Sequence, residues 1–173
     1  IVQIQDDANT QMMTLSQGDV DIAVNMTDDT MAELEGNDSV VLANGASKTV
    51  GFIMMNEDPA IGGPVADPKV QQAILLATNY ANVQTICGEG TITPYSIIQE
   101  GFLGAKGERP VDYTDIEAAK ALMKDAGYED GFDIDLTGCD LDMEGISLSD
   151  LAVEIKADLA EIGINVNIVS QPW

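Results

Sequence analysis

The stretch DIDLTGCDLDME, Asp133 to Glu144, comes nearest in residue type and spacing to metal chemistry. Counted from Asp133, acids stand at positions 1, 3 and 12, with Thr137 at 5 and Gly138 at 6. That order matches the oxygen ligands around the sharp turn of a helix–loop–helix calcium site, with Asp133, Asp135, Thr137 and Glu144 coordinating. Two features oppose it. Position 8, apolar in such loops, is Asp140, and position 9, normally polar, is Leu141. The residues ahead also alternate as a strand does, where a calcium loop follows a helix. A strand end running into an acidic loop is the better reading.

Other chemistry has little to build on. The chain has no histidine, which removes imidazole acid–base catalysis, histidine-activated nucleophiles and imidazole metal ligands. Its two cysteines, Cys87 and Cys139, are too few for a four-thiolate zinc site. In an oxidising compartment they are able to pair, and their spacing leaves the question open. GEGTIT, Gly88 to Thr93, looks at first like a phosphate-cradling loop. It lacks the third glycine and the basic residue, and it follows a helix where a strand is required, so it reads as a turn. Met12–Met13 and Met54–Met55 sit inside amphipathic elements and read as core filler, not as soft-metal ligands. No cofactor is called for.

Thirty acidic against seven basic residues give a net charge of −23 over 173 residues. Such a surface repels nucleic acid and anionic membranes, so neither is expected as a direct partner. A solvated acidic shell is the simplest account of it, with counter-ions screening the self-repulsion. The chain is 45% hydrophobic, enough for a sizeable core, and no apolar run approaches the ~20 residues that span a bilayer. It opens at Ile1 in strand-like sequence with no signal segment or initiator Met, which leads us to expect a piece of a longer protein.

The elements that must position these residues read as α/β. IVQIQ, DVDIAVN, SVVLAN and TVGFIMMN carry strand patterns, with short helices at NTQMMTLSQG and DDTMAELEG between them. NGAS, Asn44 to Ser47, marks a turn or hinge. Asp67 and Pro68 form a cap and first-turn pair for a helix whose rows Val70, Ile74, Ala77 and Ala73, Leu76, Tyr80, Val83 are apolar. A stripe that wide predicts a helix buried on much of its circumference. Gly88 to Asp112 lacks period apart from TITPYSII. Thr114 and Glu117 fit a capping box for a helix ending at Gly127. FDIDL, an amphipathic helix through Leu148, Leu151, Ile155, Leu159 and Ile162, and INVNIV then make a strand–helix–strand unit with parallel strands.

Four phrases in order resemble the family 5 extracellular solute-binding proteins, the peptide- and nickel-type receptors of ABC importers. They are LSQGDVDIAVN, FIMMNEDPAIGGPVADPKVQQAILLATNYANV, YTDIEAAKALMKDAGYEDGF and LAEIGINVNIVSQPW. The resemblance implies a periplasmic-binding-protein-like (type II) two-lobed fold that closes on a solute by hinge motion. Residues 1–45 would be part of the first lobe up to the interlobe crossover, and residues 46–173 the first half of the second. It implies a non-catalytic protein, periplasmic or extracellular, that captures an oligopeptide or dipeptide and serves a membrane permease. Trp173 matches a tryptophan lining the peptide pocket of oligopeptide receptors. Asn25, Met26 and Thr27 follow the C-terminal end of a strand, where α/β proteins hold their ligands. The family's Arg and Asp on the 67–83 helix are Gln71 and Asn79 here, so ionic contacts do not carry over. The competing readings are an acidic calcium-responsive module and a small α/β interaction domain.

Overall fold

The computed structural model describes residues 2–5, 7–45, 48–88, 90–139, 142–143 and 145–171. Helix α1 (Ala8–Gln17) starts where the Asp7 carboxylate accepts the Thr10 N–H and ends at left-handed Gly18. Helix α2 (Asp28–Leu34) starts at Thr27, whose hydroxyl accepts from Thr30 N–H. A short turn α3 (Pro59–Gly62) and a 3-10 turn (Gly63–Ala66) lead to α4 (Pro68–Ala77), capped by Asp67 as its sequence predicts.

The apolar stripe through Val83 is not one helix. The chain breaks at Thr78 and resumes as α5 (Tyr80–Cys87), with the Asn79 side chain accepting the Asn82 N–H. Distant groups hold the break open. The Asn79 N–H donates to the Asp158 carboxylate at 2.7 Å, the Thr114 hydroxyl donates to Thr78 O at 2.6 Å, and the Asp115 N–H donates to Leu76 O at 2.8 Å. Each supplies a partner that a helix end lacks.

After a 3-10 turn (Val111–Tyr113) comes α6 (Ile116–Asp125), and its start corrects the capping box predicted at Thr114. Asp115 is the cap, accepting the Ala118 N–H at 2.9 Å, because the Thr114 hydroxyl is committed to Thr78. Strand β1 (Phe132–Cys139), a small β2 (Asp142–Met143) and β3 (Ile146–Ser147) pair, α7 (Leu148–Ala160) and β4 (Ile164–Gln171) complete the chain. The expected strand–helix–strand unit is present: β1 and β4 pair in parallel, Phe132 opposite Ile164 through Cys139 opposite Gln171.

Inward-facing Ile134, Leu136, Ile164 and Val166 meet α7, while α6 packs on α4. Val70, Met123 and Ile164 are almost wholly enclosed, and each such side chain stabilises the fold by about 1.5–3 kcal/mol. Gly131 and Gly163 close the start of the sheet. A Cβ on Gly131 would lie 2.0 Å from Gly163 O, and the two glycines have φ of 78° and 84°. On the outer face, Asn165 and Asn167 Nδ2 donate to the Asp133 and Asp135 carboxylates at 2.9 and 2.8 Å.

The four N-terminal strand patterns do not form paired strands among the described residues. A strand needs a neighbour for its N–H and C=O groups, and the described residues offer these segments none. Ile22, Val24, Val41, Phe52 and Met54 consequently stand exposed.

Candidate functional site

The α/β rule directs attention to the C-terminal ends of strands and the turns beyond them. At the parallel pair those ends run into Trp173, Asp140, Leu141 and Glu144, which lie outside the described residues, as do Ala46 and Ser47 of the hinge signal. Asn25, Met26 and Thr27 are described, and they sit at a joint. Asn25 is the one non-glycine with positive φ (59°) among the described residues, a conformation that its short amide tolerates. It turns the chain so that Met26 O approaches Gly145, where a Cβ would come within 2.9 Å. Thr27 then caps α2, and the Asp28 carboxylate comes close to Gly88, where a Cβ would meet Oδ2 at 2.6 Å. Two glycines let α2 seat directly against the end of α5 and the β2–β3 turn.

Beside this joint lies an open hollow of about 390 Å³, lined by Asp28, Gln84, Thr85, Gly88, Gly90 and Thr91. Besides the Ala81 methyl, its walls are hydroxyls, one amide, backbone and a single carboxylate. Gln84 Nε2 donates to the Thr93 hydroxyl at 3.2 Å, and the Thr91 hydroxyl donates to Cys87 O at 3.1 Å. Such a surface can hydrogen-bond the main chain or amino group of a polar solute. The stretch read as a turn, GEGTIT, supplies three of its lining residues, and only its position after α5 could have disclosed this. A second hollow, of about 350 Å³ between Lys120, Lys124, Asp130 and Glu161, lies at the opposite end of the sheet, where the strands begin.

The residues weighed for calcium are arranged otherwise. Asp133, Asp135 and Thr137 lie along strand β1, on its outward face, and both carboxylates accept from Asn165 and Asn167. Alternate residues of a strand are spread in a row, whereas a calcium loop converges its ligands. Among the described residues no group of three or more potential ligands could hold a metal. Cys87 is a free thiol, and burial pushes its pKa up, away from the thiolate that a nucleophile needs.

Two polar centres, one buried and one half-buried, escaped the sequence reading. Asp158 lies on α7, only 6% exposed. Burial, first, and then Glu154 and Glu161 push its carboxyl up, against the lowering effect of the Asn79 N–H. Its signal was an acid three residues after Ile155, in phase with the apolar stripe. The other is Arg109, surrounded by Tyr80, Tyr95 and Tyr113. Its signal was a single arginine in a strongly acidic chain. The side chains of Gln71 and Asn79, where the resemblance led us to expect charge, both make neutral contacts: Gln71 Nε2 donates to Val65 O, and Asn79 Oδ1 accepts the Asn82 N–H to cap α5.

Known proteins resemble this chain in sequence and in fold. The family model for bacterial extracellular solute-binding proteins, family 5 Middle, matches residues 1–173. The chain is 27% identical to the Dipeptide-binding protein of Escherichia coli over 176 residues, covering 100% of this chain and 32% of that protein. It is likewise 27% identical to Heme-binding protein A of Haemophilus influenzae, covering 100% of this chain and 31% of that protein. The chain thus spans about a third of the length of these curated relatives. Among solved structures, a Pseudoalteromonas dipeptide binding protein in complex with Met-Leu superposes with a TM-score of 0.74 at 24% identity, over 99% of this chain and 34% of that one. HbpA2 from Haemophilus parasuis gives 0.70 at 23%, over 99% and 34%. The fold is that of type II periplasmic binding proteins, in part.

Proposed function

Because the chain belongs to the bacterial extracellular solute-binding proteins, family 5, we propose that it is a segment of a receptor that captures a peptide-like solute between two lobes. The observation that carries this reading is the similarity along the whole chain to a dipeptide-binding protein, together with the matching fold of a protein solved with Met-Leu. The receptor works outside the cytoplasm, in the periplasm or at the cell surface, and delivers its solute to the membrane permease of an ABC importer. No helix of the described residues is long and apolar enough to cross a membrane. The protein is a binding component and not an enzyme; capture relies on hydrogen bonds, apolar walls and lobe closure.

Residues 1–45 belong to the first lobe and residues 46–173 to the second. In support, the main apolar cluster draws all its buried members from Val65 to Val166. The joint at Asn25, Met26 and Thr27 is then a place where the lobes meet, and these residues, with Trp173, contact the solute. The intact parent protein is expected to melt at higher temperature with short peptides present, because a ligand that binds only the folded state stabilises it. Absence of a shift across a broad peptide library would sink the peptide assignment.

A further inference from the structure

Arg109, the chain's only arginine among thirty acidic residues, makes no ion pair with a carboxylate among the described residues. Its guanidinium instead lies 4.3 Å from the Tyr113 ring centre, 5.3 Å from Tyr80 and 5.5 Å from Tyr95. Nη1 also reaches the Tyr80 hydroxyl at 3.5 Å. The rings come from three places: the start of α5, the long loop, and the 3-10 turn before α6. Tyr80 and Tyr113 brace each other edge to face at 6.0 Å, and Gln72 Nε2 holds the Tyr113 hydroxyl at 3.2 Å.

The same residue closes the loop. The Arg109 N–H donates to Thr93 O at 2.6 Å, Tyr95 N–H donates to Gly107 O at 3.2 Å, and Pro94 bridges Glu108. Thr93 in turn receives Gln84 Nε2, and Gln84 lines the hollow beside Asn25–Asp28. A continuous set of contacts therefore runs from the tyrosine cage to the polar wall of the candidate site. Cation–π attraction over several faces is a suitable fastening here, since it needs no buried counter-charge.

We propose that Arg109 is a positioning residue: caged by the three tyrosines, it clamps the neck of the 93–109 loop and thereby fixes Thr93 and Gln84 at the solute site. The clamp stands on the geometry alone, whereas its effect on solute rests on the functional reading above. The test uses the intact parent protein with Arg109→Gln and Arg109→Lys. Arg109→Gln is expected to speed hydrogen exchange at the Tyr95 and Arg109 positions at least tenfold, leaving the β1 and β4 amides unchanged, and to weaken Met-Leu binding several-fold. Arg109→Lys, still cationic, is expected to recover part of both. Exchange within twofold of the unaltered protein, or equal acceleration in β1 and β4, would overturn the clamp. A loosened loop with unchanged affinity would overturn its link to the solute site. If the unaltered protein ignores Met-Leu, the dipeptide assignment fails instead, and the exchange ratio still decides the clamp.

Discussion

Asp158 offers a sharp test of how α4, α5 and α7 are joined. Its carboxylate accepts the Asn79 N–H at 2.7 Å, and the residue is 6% exposed. Burial raises its pKa above the ordinary value, with Glu154 and Glu161 adding to the effect. Folding thus favours the protonated form, so Asp158 supports the fold most below the usual carboxylate range. That support is lost as pH rises through the raised folded pKa. Two substitutions separate charge from hydrogen bonding. Asp158→Asn keeps an oxygen for Asn79 and removes the charge, so the wild type should lose stability relative to this variant as pH climbs from acid to neutral. Asp158→Ala leaves the Asn79 N–H without a partner, which costs about 1–3 kcal/mol relative to Asp158→Asn at every pH. Urea denaturation of the parent protein at a series of pH values, followed by circular dichroism, measures both. A wild type that gains on Asp158→Asn with rising pH, or an alanine variant as stable as the asparagine one, would refute the reasoning.

Two other substitutions probe neighbouring claims. Gly131→Ala places a Cβ against the Gly163 carbonyl at a residue with φ of 78°; loss of roughly 2 kcal/mol or more is expected from urea midpoints, and wild-type stability would show that the sheet entry yields. Asn79→Asp preserves the cap on Asn82 but sets a second carboxylate beside Asp158. It should cost on the order of 1 kcal/mol at neutral pH and nothing once both acids are protonated, so an equal loss at both pH values contradicts the proximity argument.

The C-terminal half was the most legible part of the chain. In FDIDL, INVNIV and the α7 stripe, the residues marked by period are those that the fold turns inward, and the strand pairing with the α7 helix packed on it spans only forty residues or so. The N-terminal strand patterns were legible only as propensity. Alternation in DVDIAVN says which residues suit a sheet, but Ile22 and Val24 become strand only if another segment supplies the ladder. The break between α4 and α5 was illegible for a different reason. Its cause, the Asp158 carboxylate, is 79 residues away, and a continuous apolar stripe hides it. At the candidate site, the strand-end rule pointed to Asn25 to Thr27, although the strand it assumed in DVDIAVN is not formed among the described residues. It could not find Gln84 or Thr91, whose relevance depends on Gly88 admitting Asp28.

The pairing of Asp133 and Asp135 with Asn165 and Asn167 bears on behaviour in salt. A chain with a charge of −23 is relieved of self-repulsion as ionic strength rises, but the same ions weaken any lock made from opposite charges at the surface. Here the parallel backbone ladder is backed on its outer face by carboxylates receiving amide protons, with no cation in the pair. Added salt can therefore compact the molecule without loosening the alignment of its sheet.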